Sequence, residues 1–240
     1  MTRKELKKKI EKTSVIIKKC EDDIMRLSYV EEQREAIRND DIETYRKYAS
    51  MEKENLETVR KLSEKHFYNN VLLKVLRENY NYLVFVDGCK VLSEICSSFD
   101  GKSYGEKTKA KIDEKMEENG FSFYFERNSN YNYFIKIAEL RENGCCYGSD
   151  YVEGYARTPD NSDWSVFITE ENKLVFNRVK AFPYVHFTVD PEKKAKDIIH
   201  LYRKIQEEEN KLEKLHGDYN NLIPSELPRC DYFKKLNIRF

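Results

Sequence analysis

Residues 6–27 read LKKKIEKTSVIIKKCEDDIMRL, and the spacing inside that stretch decides the architecture. Apolar or small residues fall at Leu6, Ile10, Thr13, Ile17, Cys20, Ile24 and Leu27, in alternating steps of four and three. Such steps put one narrow apolar seam on an α-helix, and a seam that narrow needs a partner helix. The same rhythm returns at Ile198, Leu201, Ile205, Leu212 and Leu215, with an aromatic, alternating middle between the two. The pattern predicts an α+β fold with three parts: a long helical hairpin or coiled-coil stalk, an antiparallel β-sheet head, and a C-terminal heptad helix returning along the stalk.

Working outward from the seam, the first helix is expected from Thr2 to about Arg38. Asn39, Asp40 and Asp41 supply a turn, and Asp40 or Asp41 is placed to cap a second helix. That helix carries Ile42, Tyr45, Ala49, Leu56, Val59 and Leu62, with Glu52 interrupting its seam. A short polar link between amphipathic helices makes an antiparallel hairpin, here residues 1–66. From Phe67 the pattern is more apolar and reads as helix to about Phe99, broken or kinked near Asp87 and Gly88. The rival reading makes Tyr82 to Val86 a strand.

Ser103, Tyr104, Gly105 and Glu106 fit the S-x-x-E capping box, opening a helix through Ala110, Ile112 and Met116 to a stop at Gly120. Alternating aromatics then predict strands at Phe121–Phe125 and Tyr131–Ile137. Further strands are expected at Tyr151–Arg157, Trp164–Thr169, Lys173–Val179 and Tyr184–Val189, giving five or six antiparallel strands in a head of residues 67–190. Asp190 and Pro191 start the last helix, residues 191–217, ended by Gly217. A tail, residues 218–240, follows.

Charged residues make up 36% of the 240 and apolar ones 40%, a mix closer to long helices than to a compact enzyme. Lys+Arg and Asp+Glu balance at 43 each, so no global field draws the chain to nucleic acid or acidic lipid. Six cysteines form no C-x-x-C and no spacing suited to zinc. The charged first dozen residues do not read as a signal peptide, and no apolar run approaches a membrane span. A cytoplasmic setting with reduced thiols is the economical expectation.

The sharpest catalytic candidate is Pro159-Asp160 followed by Glu171-Asn172-Lys173, the loose P-D…(D/E)-x-K pattern of metal-dependent nucleases. That pattern wants its acid-x-Lys pair in a buried strand, whereas here it falls in an expected hairpin turn, so a solvated turn is the better reading. Gly101-Lys102-Ser103 resembles the end of a phosphate-binding loop, but Cys96 stands where that motif needs another glycine. His66, His186, His200 and His216 are far apart, and His186 reads as a half-buried structural residue in a strand. Cys145 and Cys146 have no neighbouring cation to lower a thiol pKa. No catalytic residue, metal ligand or cofactor site is expected.

Tyrosine is the remaining signal. Where both faces of a strand carry aromatics, one face can build the core while the other meets a partner. The binding residues read from the sequence are Tyr124, Tyr131, Tyr133, Tyr151 and Tyr155. Stacking of single-stranded nucleic acid on these rings is the alternative, though Arg and Lys are sparse among them.

The run Gly101-Lys102-Ser103-Tyr104-Gly105-Glu106-Lys107-Thr108-Lys109-Ala110-Lys111-Ile112, followed by an aromatic strand, resembles segments of uncharacterised accessory proteins of bacteriophages and mobile elements. The likeness covers roughly residues 95–140 and carries no catalytic residues. It implies a phage-encoded inhibitor that binds a host enzyme, for instance a nucleic-acid-targeting defence complex. The expectation is therefore a non-enzymatic protein-interaction module, with self-association through the coiled coil as a further role of the stalk.

Overall fold

A computed structural model describes residues 1–127, 133–157 and 180–222. It is mostly helical with a small antiparallel sheet, an α+β fold. The helices are α1 (Arg3–Ser28), α2 (Val30–Arg38), α3 (Ile42–Ser97), α4 (Glu106–Glu118) and α5 (Pro191–Leu222). The strands are β1 (Phe121–Arg127), β2 (Tyr133–Glu139), β3 (Val152–Arg157) and β4 (Lys180–Pro183), paired in that order. By compactness the chain divides into a unit of residues 1–191 and a second of residues 192–240.

The start of α1 is set by its first residues. Thr2 accepts the amide of Glu5 at 3.3 Å while the Glu5 carboxylate accepts the amide of Thr2 at 2.7 Å, so two orphan donors are satisfied reciprocally. Leu6, Thr13, Ile17 and Cys20 are buried, and Ile10, Ile24 and Leu27 half-buried, whereas Val15 and Met25 face solvent. Thr13 enters this seam without penalty because its hydroxyl donates to the Lys9 carbonyl at 2.8 Å.

The helix expected to run unbroken to Arg38 ends early. Tyr29 adopts the left-handed conformation (φ 49°), which closes α1 and redirects the chain into α2. Its ring stacks on Tyr48, centroids 5.5 Å apart. Asp41 then caps α3, accepting the Thr44 amide at 3.0 Å.

Pairing along the hairpin runs in opposite directions. Arg3 meets Asp87 at 2.9 Å, Glu21 meets His66 at 3.0 Å, and Gln33 donates to Glu52 at 2.7 Å. The polar interruption at Glu52 is thus answered from α2. The seam expected on the second helix holds in part: Ala49, Val59 and Leu62 are half-buried, whereas Ile42, Tyr45 and Leu56 are exposed. A hairpin of antiparallel helices needs only two complementary stripes, and α3 selects its own by meeting α1.

α3 is one helix of 56 residues, about 84 Å at 1.5 Å per residue, so the boundary drawn at residue 66 lies inside it. Tyr82 to Val86 are helical, and the break expected at Gly88 is absent. Gly88 serves packing instead: a β-carbon there would stand 2.4 Å from Cγ2 of Ile137 and 3.1 Å from Cδ1 of Phe121. The missing side chain lets the helix lie directly on the sheet. Around this contact gather Phe85, Leu92 and Cys96 of α3, Ile112 and Met116 of α4, and Phe121, Phe123, Ile135, Ile137 and Val152 of the strands. Each large apolar side chain fully buried there contributes roughly 1.5–3 kcal/mol.

Other expectations are corrected by local geometry. The Ser103–Glu106 capping box does not form; Gly105 is the N-cap of α4 and lends no side chain. Gly120 does end α4, at φ 78°. The last described strand is Lys180–Pro183 rather than Tyr184–Val189, and His186 is exposed beyond it. Gly217 lies within α5, which continues to Leu222. The strands expected at Trp164–Thr169 and Lys173–Val179, and most of the tail, lie outside the described residues.

The segment after β4 is held by a residue that composition does not flag. Asn79, fully buried on α3, donates to the Thr188 carbonyl at 2.7 Å and accepts the Thr188 amide at 2.7 Å. One amide side chain thereby satisfies both backbone groups of a non-helical residue. Phe187 packs against Tyr82, ring centroids 5.4 Å apart.

Two stability predictions follow from these contacts. Gly88→Ala should lower the unfolding free energy by about 1–2 kcal/mol: overpacking outweighs the helix propensity that alanine gains over glycine. A urea midpoint equal to wild type would mean that α3 stands farther from Ile137. Asn79→Ala should cost about 2–4 kcal/mol by leaving the two Thr188 groups unpaired, and hydrogen exchange at the Thr188 amide should accelerate; an unchanged exchange rate would contradict the clamp.

Candidate interaction face

Strict alternation divides the sheet into two faces. Phe121, Phe123, Ile135, Ile137 and Val152 point to the core under α3 and α4. The register sets Tyr124 opposite Lys136 and Lys136 opposite Glu153, so these three form a row on the other face. The backbone register also pairs Phe134 with Tyr155 and Tyr155 with Phe182.

Two tyrosines of the expected set, Tyr124 and Tyr151, meet here. Tyr124 and Tyr151 contact edge to face, centroids 4.8 Å apart, a geometry favoured by the ring quadrupoles. The Lys136 ammonium sits 5.7 Å from the Tyr124 centroid. Tyr151 reaches across β2 to β1, where its hydroxyl bonds Ser122 at 2.7 Å and receives the Cys146 thiol at 3.3 Å. Ala138, the β2 residue opposite Ser122, is fully buried, and its small side chain leaves room for this crossing. Burial, then the Cys146 thiol, push the Tyr151 hydroxyl above its ordinary pKa. Tyr124 remains 36% exposed, so its ring is held on one side and open on the other.

The other expected residues separate. In the backbone register Tyr155 pairs with Phe134 and Tyr133 with Arg127. Tyr131 lies outside the described residues, as do Pro159, Asp160, Glu171, Asn172 and Lys173.

Beside this face the 140–151 loop is built on Arg141. Its guanidinium bonds both oxygens of Asp150, at 2.8 and 3.1 Å, and lies 4.6 Å from the centroid of the exposed Tyr147 ring. Asp150 also accepts the Tyr147 amide at 2.9 Å. The Arg141 bonds, then that amide, hold the Asp150 carboxyl below its usual range. The same charge-assisted pair raises Arg141. Spacing in the sequence gave no cue to this arginine; only the Arg–x₈–Asp fork, closed by the left-handed Gly144, brings it to Tyr147.

On the core side a cleft of about 520 Å³ opens between α1, α3 and the end of β2, lined in part by Lys7, Arg77, Tyr80, Glu139, Arg141 and Asp150. Glu139 there is held by Arg3 at 2.9 Å and by the Tyr80 hydroxyl, and Arg141 by Asp150. These carboxylates are occupied by structural partners rather than set out around an open position.

Further groups raised by burial lie away from this face. The Cys96 thiol is pushed up to about 12, and Cys89 further, both by loss of solvent. Tyr104 is raised by burial, then by Asp113 and Cys96; Asp113 is raised by burial against the opposing pull of Lys109. Such thiols are inert. Lys102, the lysine of the phosphate-loop resemblance, donates to the Ser98 carbonyl at 3.1 Å at the end of α3. Among the described residues no group of His, Cys, Asp and Glu is arranged to hold a metal ion, and no helix is long and apolar enough to cross a membrane.

No family model, curated protein or solved structure matches the chain.

Asp113 gives a signed pH prediction. Its folded pKa exceeds the unfolded value, so its contribution favours folding at low pH and is lost as pH rises above 3.8 through the folded pKa. Asp113→Asn should therefore raise Tm at pH 7 and leave it unchanged near pH 3. A Tm that falls at pH 7 would show that Lys109 outweighs the burial.

Proposed function

We propose that this chain is a non-enzymatic protein-interaction module that meets its partner with the outer face of the sheet. The observation that carries the reading is Tyr124: a half-open ring fixed by Tyr151 on one side and attended by Lys136, on the face opposite the core. An aromatic held in one rotamer loses little entropy on binding and still offers a wide apolar surface with a polar tip. Tyr151 acts as the support.

In this reading the hairpin is a coiled-coil stalk that holds the face away from other surfaces, and the setting is the cytosol. The resemblance of residues 95–140 supplies the partner class: a host enzyme complex that targets nucleic acid, inhibited by a phage-encoded protein. Occupation of the carboxylates near the cleft by Arg3, Tyr80 and Arg141 supports binding over catalysis.

Lys136 beside Tyr124 keeps one second reading open, stacking of single-stranded nucleic acid, and the two separate cleanly. Tagged protein recovered from host cytosol should carry a stoichiometric protein partner, and Tyr124→Glu should lose it while retaining the wild-type melting curve. Binding should then be reproduced with purified partner. Recovery of nucleic acid alone, with affinity falling steeply as salt rises, would replace the proposal with the nucleic-acid reading. A partner retained equally by Tyr124→Glu would remove the sheet face from the interaction.

A further inference from the structure

α5 presents an apolar stripe to solvent. Ile198, Leu201, Ile205, Leu212 and Leu215 are 37, 59, 55, 39 and 64% exposed. Their steps of three and four are those of a and d positions, with Glu208 filling the d position between Ile205 and Leu212. Exposed apolar residues in a row of this kind, interrupted once by Glu208, mark an association surface.

We propose that this stripe pairs with the same stripe of a second copy of the chain, as a parallel two-stranded coiled coil. The flanking charges select both the occupant and the direction. The g positions are Asp197, Lys204 and Lys211; the e positions are Tyr202, Glu209 and His216. In a parallel, in-register pair each g residue meets the e residue five positions on, so Lys204 faces Glu209 of the partner subunit, twice by symmetry. An antiparallel pair overlapping the stripe from Ile198 to Leu215 sets g against g and brings Lys204 against Lys211 of the partner subunit.

Glu208 argues the same way. Its carboxylate accepts the Lys211 ammonium of its own helix at 2.8 Å. In the parallel register the two Glu208 residues share one layer, each with its own lysine and with solvent at the flank. A slip of one heptad, or the antiparallel arrangement, seats Glu208 against an isoleucine or leucine instead. A polar seam residue that tolerates only its own kind fixes register at some loss of affinity. The complex is accordingly reversible, with a dissociation constant on the order of micromolar for a seam this short.

Sedimentation velocity on the full chain from about 1 to 100 µM tests the proposal across the range where a micromolar dimer forms. The mass should rise from one chain to two. Leu201→Glu with Ile205→Glu, both on exposed positions, should hold it at one chain with an unchanged far-UV spectrum. Glu208→Leu should tighten the dimer by about tenfold or more. Lys204→Glu alone and Glu209→Lys alone should each weaken it by about five- to tenfold, and the double exchange should restore it. Three results overturn the proposal: a single-chain mass at every concentration, a dimer indifferent to the Leu201 and Ile205 changes, or a dimer tightened by Lys204→Glu, which is the antiparallel signature.

Discussion

The fold of residues 1–191 turns on the approach of α3 to β2 at Gly88. With its would-be β-carbon 2.4 Å from Ile137, no side chain fits between helix and sheet at that point. The contact brings Phe85 and Leu92, one turn either side of Gly88, down onto Ile135, Ile137 and Val152. It also sets Asp87 at the height of Arg3, which then bridges Asp87 and Glu139 and lies over the Phe121 ring at 5.0 Å. Helix, hairpin and sheet thus share one junction, and α3 is the rigid member to which the others are referred.

That junction explains why the sequence could be read well in some places and poorly in others. The α1 seam and the alternation of Phe121, Phe123, Ile135 and Ile137 are periodic, and period is a local property that survives into the fold. Gly88 is also local evidence, but it points the wrong way. Within a helical pattern a glycine lowers helix propensity and reads as a break. Its value comes from Ile137, nearly fifty positions away, and no local window contains that. The same reason underlies the Ser103 capping box, which lost to a Gly105 start, and Gly217, where the continuing helix outweighs one unfavourable residue. Tyr29 is the converse case: a bulky left-handed residue carries no sequence signature, and stacking on Tyr48 accompanies it.

The candidate face shows the same division. Composition placed tyrosines in and beside the strands, and the register then set Tyr124 on the outer face, where Tyr151 meets it. That sorting needed the register, which a sequence with aromatics at both parities leaves ambiguous. Arg141, Tyr147 and Asn79 were missed because each acts through a partner that the fold supplies. For Asn79 the partner is 109 positions distant.

Among the described residues, polar groups around the sheet are committed to one another, and this bears on what such a protein can do. Ser122, Tyr151 and Cys146 satisfy each other; Arg141 and Asp150 close a loop; Arg3, Tyr80, Asp87 and Glu139 tie three elements. Among the described residues no buried side-chain nitrogen or oxygen lacks a partner. Catalysis asks for groups held out of balance until a substrate arrives, whereas recognition asks for surfaces held still. In the proposed reading Tyr124 fits the second demand. Its ring is fixed by the Tyr151 edge, Tyr151 is fixed by Ser122 and Cys146, and β1 is fixed by α4 beneath it. Each step removes freedom before binding begins, so that a partner's contact with the open side of Tyr124 need not order it.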